Sequence, residues 1–107
     1  MATVSEITDD NFQNKLSSSS KLYLLDFWAE WCGPCKALNP VIETLAEEMA
    51  EVLEIGKVNT EANIQVASEY GVRQLPTLIL FKQGMPVDQL TGGVSKDRII
   101  AMVEKHK

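Results

Sequence analysis

The sequence is poor in the residues that staple small domains or bind metals. Across 107 residues it has two cysteines and one histidine. A tetrahedral zinc site needs four nitrogen or sulfur ligands, and Cys32, Cys35 and His106 fall short of that number. No metal is expected. Long apolar runs are also lacking. None approaches the roughly 20 residues of a membrane-spanning helix, and residues 1–12 have neither the basic start nor the apolar core of an export signal. These absences point to a cytoplasmic chain with no membrane partner. Basic clusters are missing as well: 10 lysines and arginines are scattered among 15 acidic residues, for a formal charge of −5, which disfavours nucleic acid as a partner. No internal repeat is present. What remains, 45% hydrophobic and 23% charged, suits a single domain over residues 1–107 that buries its own core.

The two cysteines stand three positions apart in Trp31-Cys32-Gly33-Pro34-Cys35-Lys36. A disulfide closing so small a loop constrains the unfolded chain by only about 2 kcal/mol, so the pair reads as a couple that opens and closes rather than as a staple. The run lies where a strand-like segment gives way to a helical pattern. A sulfur at the start of a helix meets unpaired backbone N–H groups and the positive end of the dipole, which favour a thiolate. The thiolate is the species that attacks a disulfide. The plain alternative is two buried thiols that act only as small core residues.

Thr8 followed by Asp9 and Asp10, with Phe12 and Leu16 four apart, predicts a short capped helix with an acidic first turn. Ser17 to Ser20 reads as a loop. Leu22 to Trp28 is apolar except for Asp26, as in a strand buried on both faces. From Pro34 to about Ala50, Leu38, Val41, Ile42, Leu45, Ala46 and Met49 recur at helical spacing, with a kink expected at Pro40. Val52 to Val58 predicts a strand, and Asn63 to Tyr70 a helix stopped by Gly71. Leu78 to Lys82 and Val87 to Leu90 predict a hairpin turning on Gln83-Gly84. Ser95 then caps a last helix with Ile99, Ile100 and Val103 on one side. Helices first alternating with strands and then followed by a hairpin imply an α/β class, with a central mixed β-sheet and helices on both faces.

With that order of elements, the chain resembles the thioredoxin family along essentially its whole length. Besides the cysteine motif, the resemblance rests on Asp26-Phe27-Trp28-Ala29-Glu30, Lys57, Tyr70-Gly71-Val72-Arg73, Leu75-Pro76-Thr77, Phe81-Lys82-Gln83-Gly84 and Gly92. It implies the thioredoxin fold and a protein-disulfide reductase, in which an exposed Cys32 attacks a partner disulfide and a more buried Cys35 resolves the mixed disulfide. It further implies a thioredoxin reductase drawing on NADPH as one partner, disulfide-containing proteins as the others, no cofactor bound to the chain, and a monomer.

Asp26, inside an apolar strand, is expected to be desolvated and raised in pKa. That makes it a candidate base for Cys35; the competing reading is a buried acid satisfied by hydrogen bonds or by Lys57. The resemblance favours the base, with Lys57 as its companion. It also implies a cis bond before Pro76 and a small apolar platform for substrate made of Trp31, Gly33, Pro34, Leu75, Pro76, Gly92 and Gly93. Thr60, Gln74 and Thr91 depart from the family pattern and are expected to make this platform more polar, and Ile64 stands where a proline is common. Two readings compete with the reductase: an oxidase or isomerase of the same fold, and a subunit that binds through its platform alone.

Overall fold

A computed structural model describes residues 3–107. Its elements are β1 (Ser5–Glu6), α1 (Phe12–Ser18), β2 (Leu22–Trp28), α2 (Gly33–Glu48), β3 (Leu53–Asn59), α3 (Ile64–Glu69), β4 (Thr77–Lys82), β5 (Met85–Thr91) and α4 (Lys96–His106). The five strands form one sheet in the order β1-β3-β2-β4-β5. β3 runs parallel to both β1 and β2, while β4 is antiparallel to β2 and β5 to β4. The α/β expectation and the mixed sheet are borne out.

Alternation along the strands divides the core into two layers. Leu22 and Leu24 of β2, Leu53 and Ile55 of β3, and Leu78 and Leu80 of β4 pack against Leu38, Ile42 and Leu45 of α2 and Ile99, Met102 and Val103 of α4. The opposite face, with Tyr23, Leu25, Phe27, Val58, Ile79 and Phe81, packs against Phe12 and Leu16 of α1 and Val66 of α3. β2 is the central strand, buried from Leu22 to Phe27. Asp26 takes its place in the alternation on the α2 side, in register with Lys57 of β3 and Leu78 of β4.

Several boundaries follow from local chemistry. α2 runs without a break through Pro40. Gly71 ends the turn after α3 at φ +65°. The hairpin turn Gln83-Gly84 has φ of +54° and +81°, the pair of left-handed residues that a two-residue turn uses to match strand twist. Ser95 caps α4 by accepting the Arg98 N–H at 3.3 Å.

Two expectations need correction. β1 was not foreseen; two residues are too short for any periodicity to register. The first helix begins at Phe12 rather than near Thr8, so Asp9 and Asp10 are not in its first turn. Thr8 and Asn11 instead close a turn on each other, with the Thr8 N–H donating to Asn11 Oδ1 at 2.8 Å and the Asn11 N–H donating to Thr8 Oγ1 at 3.2 Å. This frees the Asp9 carboxylate to accept the N–H groups of Gln65 and Val66, at 3.4 and 2.9 Å. Asp9 thereby caps α3, whose own N-cap residue, Asn63, makes no capping bond with its side chain.

Candidate redox site

Cys32 and Cys35 are joined as a disulfide at the N-terminus of α2, with Cα atoms 5.3 Å apart. Cys32 is the N-cap residue, in extended conformation, and Pro34 lies in the first turn, where no helical N–H is needed. The Cys35 N–H donates to Cys32 Sγ at 3.2 Å. The helix end thus directs a backbone donor at the first sulfur, the arrangement that stabilises a thiolate there.

Exposure does not separate the two cysteines as the resemblance implied. Cys32 is only 3% exposed and Cys35 1%. The closed disulfide holds the Cys32 side chain against the helix end, and the Cys32 N–H donates to the Ala29 carbonyl at 3.1 Å. The exposed residue is Trp31, at 70%.

On the α2 side of the sheet, Asp26 of β2 is fully buried. Neither of its carboxylate oxygens meets a protein hydrogen-bond donor. Burial pushes its pKa up to about 6, with the charge of Lys57 pulling the other way. Asp26 is thus not satisfied by hydrogen bonds from the protein, and Lys57 acts on it through its charge. Lys57 stands beside Asp26 in register, but its Nζ donates to Asn39 Oδ1 at 2.6 Å and lies 4.8 Å from the centre of the Trp28 ring. Asn39 was missed in the sequence, although its spacing from Cys35 and Ile42 places it on the inner side of α2.

The Leu75–Pro76 peptide is cis. Pro34, Leu75, Pro76, Gly92 and Gly93 line an open groove of about 450 Å³ together with Ala37, Leu38, Val41 and Val94. Five of the seven platform residues thus come together; Trp31 and Gly33 lie outside the groove lining. Gly92 turns at φ +71°, which lets the chain fold back after β5. The foreseen polarity does not reach this groove. Thr60 uses both its N–H and its hydroxyl to hold the Trp28 carbonyl, at 3.0 and 3.2 Å, and Gln74 and Thr91 line a separate hollow with Tyr70. Among the described residues, no cluster of three His, Cys, Asp or Glu side chains could hold a metal ion, and no helix is long and apolar enough to cross a membrane.

A disulfide-forming Cys-x-x-Cys pair on the first turn of a helix, set on a mixed five-stranded sheet, defines a dithiol–disulfide oxidoreductase. Comparison with known proteins makes this specific. The thioredoxin family model matches residues 3–105. Thioredoxin 1 of Nostoc sp. is 42% identical over 106 residues, 99% of both chains. The thioredoxin of Chlorobaculum thiosulfatiphilum is 44% identical over 101 residues, 94% of both, and that of Chlamydia caviae 46% identical over 103 residues, 96% of this chain and 98% of its own. The chain belongs to the thioredoxin family and is a disulfide oxidoreductase.

Proposed function

We propose that the chain is a reductase of protein disulfides, working by two exchanges at one site. In the reduced form the Cys32 thiolate attacks a sulfur of the partner disulfide. An S–S bond forms between Cys32 and the partner, and the partner's other sulfur leaves as a thiolate. Cys35 then gives its proton to Asp26 and attacks Cys32 Sγ, closing the Cys32–Cys35 disulfide and releasing the second partner thiolate. Two electrons pass to the partner, and the proton on Asp26 returns to a departing thiolate or to solvent. The observation that carries this reading is the Cys35 N–H aimed at Cys32 Sγ, which marks Cys32 as the sulfur best stabilised as an anion.

Asp26 suits the second step because its proton affinity lies near neutrality. With a pKa of about 6 it is mostly ionised at pH 7, yet far more basic than an ordinary carboxylate. The apolar groove formed by Pro34, Leu75, Pro76, Gly92 and Gly93 would seat an extended partner segment through backbone contacts, and Trp31 and Gly33 would border it. Lys57 would moderate the charge on Asp26. Family resemblance supports recycling by a thioredoxin reductase that draws on NADPH, with no cofactor held by this chain, and a monomeric state. A cytoplasmic location is part of the proposal: a reducing compartment would keep a lone Cys-x-x-Cys pair available for transient chemistry.

A redox titration followed by tryptophan fluorescence, paired with a Cys35→Ser variant, tests the proposal. A reversible two-electron transition more reducing than the glutathione pool is expected, with the variant losing turnover and accumulating partners as mixed disulfides on Cys32. A transition near the oxidising potentials of isomerases would replace the reductase by an oxidase or isomerase. Partner binding indifferent to both redox state and the variant would leave a binding subunit.

A further inference from the structure

Asp26 and Lys57 are directly opposite in the parallel pairing of β2 and β3. Neighbouring parallel strands lie about 4.8 Å apart, and both side chains fall on the α2 side of the sheet. A buried carboxylate without hydrogen bonds is a strong attractor for such a cation. Yet the carboxylate is unpartnered, and the ammonium is turned to α2, where Asn39 Oδ1 accepts from it at 2.6 Å and the Trp28 ring lies beneath it at 4.8 Å. An amide oxygen and an aromatic face thus hold a cation that stands in register with a free anion.

We propose that Asn39 is a positioning residue for the exchange reaction: by anchoring the Lys57 ammonium to α2, it keeps that cation from pairing with Asp26 and leaves the carboxylate able to take the Cys35 proton. The inference rests on Asp26 being the proton acceptor. A lysine in contact with a carboxylate lowers the carboxylate's proton affinity by roughly one to three powers of ten, which would return Asp26 to an ordinary acid and remove its use as a base. The groups around Asp26 leave Lys57 as the controlling charge. β4 presents the apolar Leu78 opposite it, α2 packs on this face of the sheet through the apolar Leu38 and Ile42 with the neutral Asn39 holding Lys57, and the charged Lys36 and Glu43 of α2 are exposed.

The test is the titration of the Asp26 carboxyl, read by carbon-13 NMR in the oxidised full chain. Alanine favours helices more than asparagine does, so Asn39→Ala should fold. It is expected to free Lys57 toward Asp26 and move the midpoint to lower pH, about tenfold or more in proton affinity. Asn39→Asp keeps an acceptor for Lys57 and should hold the midpoint at or above that of the parent chain. In a Lys57→Met background the Asn39→Ala effect should vanish, because its carrier is gone. A midpoint unmoved or raised by Asn39→Ala, lowered equally by Asn39→Asp, or still lowered without Lys57, overturns the inference. The parent assignment is tested separately by the pH profile of disulfide reduction in Asp26→Asn. If that profile is unchanged, Asp26 is not the base, whatever Asn39 does to its titration.

Discussion

Burying Asp26 without a hydrogen-bond donor from the protein costs the folded chain stability in a pH-dependent way. Its pKa in the folded chain, about 6 against an ordinary 3.8, means that the native state binds the proton more tightly than the unfolded state. Between those values stability falls as pH rises, because the unfolded chain gives up its proton first. Below about pH 3.8 both states are protonated and nothing is lost; above about pH 6 the full penalty is present, on the order of 3 kcal/mol. Asp26→Asn removes the ionisation and is therefore expected to be more stable than the parent by about 2–3 kcal/mol at pH 7 to 8. That gain should disappear near pH 4. Denaturant unfolding of both oxidised proteins across this range checks it, and a gain independent of pH would mean that the carboxylate is not the source.

Among the elements, α3 depends on a residue far away in sequence. It is a single short helix, and its first free N–H groups are met by Asp9, which sits before α1. Asp9→Ala should cost about 1 kcal/mol, as for loss of an N-cap. Hydrogen exchange at Gln65 and Val66 should accelerate more than at the amides of β2. The same case marks how far the sequence could be read. Periodicity placed every element longer than two residues, because each has an apolar stripe or alternation of its own, and Ser95 was legible as a cap because its partner is three residues on. Asp9 was misassigned because the amide groups it serves lie more than 50 residues away, and local rules gave it to the nearest helix. Asn39 escaped for a related reason. Its meaning depends on Lys57, which only the parallel pairing of β2 and β3 brings near. The resemblance implied an exposed Cys32, but with the disulfide closed that residue is covered almost as fully as Cys35.

For the molecule as a whole, the register of the sheet gathers the site at one end. Trp28 pairs with Asn59, Phe27 with Thr77, and Thr77 with Thr91, so the C-terminal ends of β2, β3 and β5 and the start of β4 lie together. The segments leaving that end carry the cysteines, the cis bond before Pro76, and Gly92 and Gly93. Three segments, the start of α2, the chain entering β4 and the chain leaving β5, therefore build one groove beside the pair of cysteines, and no charged residue lines it. If the groove seats the partner as proposed, its apolar walls would supply the binding energy that brings a disulfide to Cys32, a residue only 3% exposed. Ala37 tests this: it is an exposed helical residue on the groove wall, so Ala37→Glu should fold normally while placing a charge where an apolar segment must seat. The rate constant for reduction of a protein disulfide should fall about tenfold, equivalent to about 1.4 kcal/mol of transition-state stabilisation. Reduction of a small aromatic disulfide, which needs little of the groove, should fall less. Steady-state kinetics on both substrates decides the matter: equal losses would assign the effect to the chemistry of the sulfurs, and no loss on the protein would remove the groove from substrate binding.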